Sequence, residues 1–244
     1  MLERKRTGKT CWPIVDPTVN ARALQASEME SSWQIRRSMV VRDRLCALRL
    51  VVEPCDMLAG KLAAPDNGVS ESECSEAAEY LRQYPSAPGQ TGHCELDLDP
   101  LMAKGIDGIV ADIENRLASA IGESADVYRS FLFALNGLSA MIARAGTDAD
   151  AAGRAEIADS CRRIAHEPPE TFRDAIQLLW FTLMGVMEGD QVGLVVPGHL
   201  DRTLRPFYER DIANGTLARE EALELIANLY LLINDYIPDG LAMS

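Results

Sequence analysis

CRRIAHEPPETFRDAIQLLWFTLMGV, residues 161–186, contains the clearest local folding signal in this sequence. Its adjacent prolines, Pro168–Pro169, cannot continue a helix from the residues that precede them. Thr171 is a favourable N-cap, and Asp174, three residues later, can complete a capping box. The run that follows is apolar on nearly all sides of a helix, which is the pattern of a buried helix. The sequence therefore predicts a capped core helix that begins at Phe172.

Periodic apolar positions predict further helices on both sides of this segment. They fall within residues 21–50, 106–121, 128–142, 151–165, 199–213 and 217–234. We expect Gly122 to end the helix before it, Pro206 to interrupt its helix, and Thr216 to cap the last helix. Residues 51–62 are typical of a short extended piece that ends in a turn, and residues 189–198 of a strand or an extended buried loop. The predicted fold class is mainly α.

Proline, glycine, serine and glutamate are enriched in residues 64–92. This composition predicts a loop-rich connection that carries at most one short helix. The connection is the best domain boundary in the sequence. We therefore divide the chain into residues 1–92, an N-terminal helix followed by the loop-rich segment, and residues 93–244, a second helical part.

Charge and cysteine usage exclude several classes of protein. The formal net charge of -13 argues against a nucleic-acid partner, because phosphate binding needs clustered lysines and arginines. The six cysteines form no CxxC pair and no cysteine/histidine cluster at metal-ligand spacing, so we predict reduced thiols and no metal site. The N-terminus lacks the apolar core of a signal peptide, and the longest apolar run, from Ala175 to Met187, is too short for a membrane span. We expect a cytoplasmic protein that binds neither nucleic acid nor membrane.

Few residues are candidates for chemistry. The sequence has no nucleophile-elbow, phosphate-loop, dinucleotide-binding or HExxH motif. His166 and His199 lie beside helix starts and are predicted to be surface residues. His93, which follows a glycine, either contacts a ligand or belongs to a structural turn. Cys74-Ser-Glu76 places a thiol two residues before a carboxylate, and it either supports thiol chemistry with proton transfer or is a polar helix start.

Five pieces of the chain match the motifs of one enzyme family in order and spacing. Residues 56–61, DMLAGK, resemble an E-L-I-V-G-N element, and residues 92–106 resemble a G-H…D-Y…L-x-x-G-L run. Residues 161–181 resemble C-x-x-v-P-x-x-P-P-x-T-F-x-E-A-L-Q-x-x-W-F. Residues 197–201, PGHLD, resemble P-G-R-x-D, and residues 211–222 resemble D-x-x-x-G-x-l-t-x-E-E-A. Together these motifs are specific, and the chain resembles the pyruvate formate-lyase type glycyl radical enzymes.

The resemblance implies a fold and a chemistry. Members of this family fold as a ten-stranded α/β barrel wrapped in helices. The chain then corresponds to the N-terminal helical part of that fold, and residues 93–244 supply a helical layer and the first barrel segments. Family members hold a glycyl radical, installed by a separate radical S-adenosylmethionine activase. A cysteine thiyl formed from it breaks C–C, C–N, C–S or C–O bonds of a small substrate. The complete enzyme is expected to be a homodimer whose partners are this activating enzyme and the small-molecule substrate.

The catalytic parts of the family do not appear in this sequence. Neither the cysteine loop nor the R-V-x-G glycine loop is found, so we assign no catalytic residue and expect no cofactor to be bound by this chain. Polyol-type relatives carry polar, substrate-contacting residues just before P-G-R-x-D. From this position and from the glycine-flanked histidine, the candidates for a substrate-cavity wall are His93, Gly193, Leu194, Val195 and Val196. The wall lacks hydroxyl groups and His199 stands where arginine is usual, which disfavours a polyol substrate.

Two functions are compatible with these observations. The first is the N-terminal part of a glycyl radical enzyme, a lyase or a formate acetyltransferase-like transferase of anaerobic metabolism, which as a truncated chain is inactive alone. It predicts that the capped helix exposes a large apolar surface where the barrel would cover it. The second is a self-contained helical protein that serves as a binding or assembly subunit without catalysis. This second function requires that the chain cover its own core.

Overall fold

The computed structural model describes residues 17–62, 69–84, 94–189 and 195–236. Helices predominate in this part of the chain, which agrees with the predicted fold class. The helices are α1 (Pro17–Ala26), α2 (Trp33–Ala47), α3 (Glu71–Leu81), α4 (Asp99–Leu117), α5 (Glu123–Ala151), α6 (Ala155–Ile164), α7 (Phe172–Met184), α8 (Leu200–Asn214) and α9 (Arg219–Tyr236). A π-helix (Gly185–Gly189) continues α7, and the strands are β1 (Leu50–Val51), β2 (Lys61–Leu62), β3 (Cys94–Glu95) and β4 (Val195–Val196).

The capped helix α7 lies at the centre of the fold. Its side chains Ile176, Trp180 and Phe181 are 0–1 % exposed. Helices α5, α6, α8 and α9 and the π-helix all contact it. Burying each such side chain stabilises the fold by about 1.5–3 kcal/mol. The expectation that α7 exposes a large apolar surface is therefore wrong, because the other helices of this chain cover it.

The start of α7 has the predicted capping box. Thr171 Oγ1 accepts a hydrogen bond from the Asp174 amide at 3.0 Å, and Asp174 Oδ2 accepts one from the Thr171 amide at 3.1 Å. Asp174 is buried, and its Oδ1 accepts a further bond from the Ser160 hydroxyl at 2.6 Å. The carboxylate thus caps α7 and joins it to α6.

Several predicted helix boundaries differ from the structure. The predicted helix over residues 21–50 is two helices, α1 and α2, separated by residues 27–32. Local bonds compete with the helix there, since the Ser27 hydroxyl donates to Ala23 O at 2.9 Å and Glu30 Oε1 accepts from the Ser32 amide at 2.9 Å.

Three residues expected to start, stop or interrupt helices have other roles. Gly122 lies directly before α5 as its N-cap, because α4 already ends at Leu117. Pro206 lies inside α8 without ending it, and the one amide it removes would have bonded an exposed residue, Arg202. The Thr216 hydroxyl donates to Asp211 O at 3.2 Å, so it closes α8 and does not cap α9.

The loop-rich connection contains one helix, α3, within its described part. Ser70 and Glu73 form a capping box at its start. Tyr80 and Tyr84 at its end are joined through their hydroxyl oxygens at 2.9 Å, and Arg36 of α2 donates to the Tyr84 hydroxyl at 3.1 Å. The boundary predicted after residue 92 falls within residues 85–93, outside the described residues, and the division into two domains stays a prediction.

Arginine side chains hydrogen-bond the end of α2 and the segment between α2 and β2. Arg144 of α5 donates to the carbonyls of Leu45, Cys46 and Leu48 at the end of α2. Arg154 donates to Pro54 O, and Arg173 of α7 donates to Met57 O at 2.7 Å. These guanidinium groups satisfy carbonyls that no regular secondary structure pairs.

The described strands form two short sheets. β1 and β2 pair antiparallel, with Leu50 opposite Leu62, as the predicted extended piece and turn require. β3 and β4 pair parallel, although about a hundred residues, including α4 to α7, separate them along the chain. Parallel neighbours need such a long crossover connection.

Candidate functional site

The parallel pair β3–β4 brings together the two segments from which the cavity-wall candidates come. Cys94 lies opposite Val195, and Glu95 lies opposite Val196. Val195 is half-buried, while Val196 is 38 % exposed. The other three candidates, His93, Gly193 and Leu194, lie outside the described residues. The structure therefore places two of the five candidates, both on β4.

A cleft of about 410 Å³ lies beside this strand pair. The turn that leads from β3 into α4 forms one wall, and the turn that leads from β4 into α8 forms the other. The cleft is lined by Glu95, Leu96, Asp97, Leu98, Asp99, Pro197, Gly198, His199, Arg202 and Thr203. Both walls belong to pieces of sequence that carry the family resemblance.

The turn after β4 depends on a glycine. Gly198 has a φ of 69°, a conformation that side chains disfavour. A Cβ at this position would lie 3.1 Å from Glu95 Oε1. Gly198 therefore allows the β4–α8 turn to approach the Glu95 side chain of β3 closely.

The two walls of the cleft carry opposite charges. Glu95, Asp97 and Asp99 on the β3 side are exposed carboxylates. On the other side, the exposed Arg202 lies in the first turn of α8, and the exposed His199 directly precedes that helix. The carbonyl of His199 accepts the amide of Arg202 at 2.9 Å, which starts the helix. The described lining of the cleft offers carboxylates, a guanidinium, an imidazole and a hydroxyl, which are groups that can bind a polar small molecule.

Burial disfavours nucleophilic chemistry at two of the described thiols. Cys161 is fully buried, and desolvation by that burial, with the Asp174 carboxylate adding to it, raises the pKa of its thiol to about 12. Burial likewise raises the pKa of Cys46, although nearby Arg144 opposes it. Cys74 and Glu76 both lie within α3, where residues two apart point to different sides. The polar-helix interpretation of Cys74-Ser-Glu76 fits this position.

The structure also shows a side-chain cluster that the sequence analysis did not identify. Ligand atoms of Glu53, Cys55 and Asp56 all lie within 4.8 Å of one another. In the sequence, these three residues are recognisable only as neighbours in the stretch Glu-Pro-Cys-Asp, residues 53–56. Both carboxylates have partners within the protein: Glu53 Oε2 accepts from Lys61 Nζ at 2.5 Å, and Asp56 Oδ2 accepts from the Glu53 amide at 2.7 Å. These bonds account for the cluster as the turn that leads to β2.

The histidine predictions hold where the structure describes them. His166 is exposed, and its Nδ1 lies 3.2 Å from Asp107 Oδ1. His199 is exposed at the N-cap position of α8. Both are surface residues, as predicted; His166 follows the end of α6, and His199 directly precedes α8.

The residues that carry the family resemblance contact one another around α7. Gln177 holds the backbone of Ala59 from both sides: its Oε1 accepts from Ala59 N at 2.7 Å, and its Nε2 donates to Ala59 O at 3.0 Å. Trp180 Nε1 donates to Gly60 O at 3.2 Å. The DMLAGK element is thus docked on the glutamine and tryptophan of the capped helix.

Two further motifs meet the same helix start. Asp211 is buried, and its Oδ2 accepts a hydrogen bond from the Phe172 amide at 2.7 Å. Gly105 has a φ of 66°, and a Cβ there would lie 2.4 Å from Pro168 N. The Asp107 amide beside it donates to His166 O at 2.9 Å. The motif residues described here are therefore explained by the packing contacts that they make with one another around α7.

Comparison with known proteins identifies a family. The model of the family described as pyruvate formate lyase-like matches residues 69–238. The trans-4-hydroxy-L-proline dehydratase of Clostridioides difficile is 41 % identical over 80 residues, which are 32 % of this chain and 10 % of that protein. The (2S)-3-sulfopropanediol dehydratase of Klebsiella oxytoca is 27 % identical over 211 residues, which are 76 % of this chain and 25 % of that protein. The chain thus spans between about a tenth and a quarter of the length of these relatives.

Solved structures show the same fold at lower sequence identity. One solved structure comes from work on 1,2-propanediol dehydration in Roseburia inulinivorans. It matches with a TM-score of 0.78 at 19 % identity, over 90 % of this chain and 35 % of that chain. The hydroxyproline dehydratase from Clostridioides difficile matches with a TM-score of 0.77 at 20 % identity, over 97 % of this chain and 39 % of that chain. In the described ranges, none of the helices combines the length and the apolar content needed to cross a bilayer. Since the family model covers well over half of the residues, the chain belongs to the pyruvate formate lyase-like family.

Proposed function

We propose that this chain forms the N-terminal helical layer and the first parallel strand pair of a glycyl radical enzyme that acts on a small molecule. The observation that carries the proposal is the β3–β4 pairing, which joins two family motifs at one cleft. Parallel strands normally belong to larger sheets that are covered on both faces. The pair is short, with two residues in each strand, so further parallel strands beside it would complete the barrel.

In this proposal the chain supplies walls and alignment, and the radical steps occur on other residues. A relative from Clostridium scatologenes is named as the glycyl radical subunit of 4-hydroxyphenylacetate decarboxylase. The complete enzyme would carry a glycyl radical, installed by an activating enzyme, and its own thiyl cysteine. The structure describes the side chains of four cysteines: one is buried, two lie in helices and one lies in the turn before β2 (Cys161, Cys46, Cys74 and Cys55). These positions support a role without radical transfer for this part of the chain.

The apolar β4 strand bears on the class of substrate. By the family resemblance, Val195 and Val196 belong to the segment from which polyol-type relatives contact substrate, and their methyl groups cannot hydrogen-bond a hydroxyl. Relatives are named as dehydratases, decarboxylases and sulfite-lyases, so the reaction is not limited to polyol dehydration. We propose a substrate with fewer hydroxyl groups than a polyol, cleaved at a C–C, C–N, C–S or C–O bond.

The test is reconstitution of the radical. The chain is co-expressed under anoxia with a polypeptide that carries the family's cysteine and glycine loops and with an activating enzyme, and the glycyl radical is sought by electron paramagnetic resonance. A radical signal that requires this chain supports the proposal, and no signal in the complete mixture contradicts it.

A pair of variants links the signal to the cleft. Gly198→Ala should lower the radical yield because its Cβ would lie against Glu95. Gly153→Ala is the matched control, since Gly153 also has a positive φ, of 73°, but no atom lies within 4 Å of its Cβ position. Equal yields from both variants would show that the β3–β4 approach does not matter for assembly.

A second candidate function is a non-catalytic helical binding or assembly subunit. The burial of α7 by this chain's own helices favours it, because that function requires a covered core. Light scattering and thermal melting distinguish the two. A monodisperse monomer with a single cooperative transition and no gain in stability from the loop-carrying polypeptide supports the second function.

A further inference from the structure

A buried ion pair joins α2 to the π-helix that follows α7. Arg44 is 3 % exposed and Glu188 is 2 % exposed. Arg44 Nε donates to the backbone carbonyl of Glu188 at 2.7 Å, and Arg44 Nη2 lies 4.0 Å from Glu188 Oε2. Arg44 Nη1 also donates to Asn20 Oδ1 at 3.2 Å, so the guanidinium connects α1, α2 and the π-helix. Burying two charges is unfavourable unless they are well paired, so a buried ion pair is weak evidence of added stability.

The pair lies where the chain leaves α7 on its way to β4. A π-helix widens the backbone ladder, and such turns occur frequently at functional sites. Gly189, the last residue of the π-helix, packs directly on α2: a Cβ there would lie 3.0 Å from Val41 Cγ1 and 3.4 Å from Leu45 Cγ. One helix, α2, therefore fixes the position of this exit through Arg44, Val41 and Leu45.

We propose that Arg44 is a positioning residue for β4, acting through the backbone carbonyl of Glu188. Six residue steps separate Gly189 from Val195, and an extended chain covers at most about 3.6 Å per residue, or roughly 22 Å in all. The exit point thus limits how far from α2 the strand β4 can lie. The inference rests on the proposed function in treating β4 as the cavity wall, but it concerns alignment and needs no catalysis to be tested.

The protein offers a matched control on the same helix. Arg144 donates to the carbonyls of Leu45, Cys46 and Leu48 and so also anchors the end of α2, but it comes from α5. Its removal loosens α2 against α5 and leaves the contact with the Glu188 carbonyl in place. A residue that only holds α2 in position would behave as Arg144 does.

Hydrogen exchange read by mass spectrometry tests the proposal on the full chain. The measured quantity is a ratio: the exchange rate of peptides that begin at β4, divided by the exchange rate of peptides within α5. The division corrects for any destabilisation that affects the whole protein equally. Arg44→Met should raise this ratio about tenfold, the factor expected when a hydrogen bond to a charged group is lost. Arg144→Met should leave the ratio at or below the parent value, because its effect raises the exchange of α5 itself.

Two conservative variants keep the test decisive if Arg44→Met does not fold. Arg44→Lys keeps the charge but loses the forked donor, so the ratio should still rise. Glu188→Gln keeps the backbone carbonyl, so its ratio should stay near the parent value even if the whole protein is less stable. A uniform rise over β4 and α5 in the Arg44 variants, or an equal ratio in Arg144→Met, would overturn the proposal. Neither result depends on whether a glycyl radical forms.

Discussion

Replacement of Gly60 by alanine should destabilise the protein strongly. Gly60 has a φ of 106°, and a Cβ at this position would lie 2.2 Å from Trp180 Nε1 and 2.6 Å from Trp180 Cδ1. Trp180 is 1 % exposed, so its ring has no free space to move into. Forcing a side chain into a packed core costs about 3 kcal/mol, and the positive φ adds about 1 kcal/mol. We expect Gly60→Ala to lose about 4 kcal/mol of the free energy of unfolding.

The control for this prediction separates the clash from the backbone strain. Gly153 has a φ of 73°, and nothing lies within 4 Å of its Cβ position, so Gly153→Ala should lose only about 1 kcal/mol. For a chain of this length the melting temperatures should fall by roughly 12 °C and 3 °C. Urea denaturation followed by circular dichroism measures both free energies. Equal losses in the two variants would refute the close contact between Gly60 and Trp180.

Three further predictions follow from buried groups near α7. Gln177→Leu leaves the amide and carbonyl of Ala59 without partners and should cost about 2–4 kcal/mol in urea denaturation, whereas an exposed substitution, Gln25→Leu, should cost under about 0.5 kcal/mol. Asp174→Ala removes the cap of α7 and the partner of Ser160 and should cost about 3 kcal/mol; a loss within error of zero would contradict the buried capping role. The pKa of Cys161 is raised from 9.0 to about 12, so the stability that its burial adds below pH 9 should fall as the pH rises towards 12. Unfolding of Cys161→Ala should show a shallower decline over that range, and parallel pH profiles would contradict the buried thiol.

Local signals in the sequence identified the elements that local interactions form. The capping box at Thr171 and Asp174 needs only residues within one turn. The apolar run that follows it predicts that α7 is buried. The glycine after Asn214 ends α8 for the same local reason, with a φ of 70°. These features depend on short spacing, so a single sequence is enough to predict them.

Contacts between residues far apart in the sequence could not be predicted from the apolar pattern. The apolar character of α7 indicated burial but not which helices provide it, and so the expectation of an exposed surface was wrong. Gly122 is compatible with either end of a helix, and only the end of α4 at Leu117 decides between them. The resemblance located the β4 segment as a candidate, but its pairing with β3 depends on a crossover of about a hundred residues. The opposite charges across the cleft follow from that pairing.

The docking of Ala59 and Gly60 on α7 has a consequence for biosynthesis. Gln177 lies 118 residues after Ala59, and Trp180 lies 120 residues after Gly60. At about 5–20 residues per second, a ribosome needs roughly 6–24 s to synthesise that stretch. Throughout that interval the segment between α2 and β2 has been made but its partners have not. The nascent chain therefore presents unpaired backbone and apolar side chains to solvent for many seconds, and chaperones that bind nascent chains would meet this segment before α7 does.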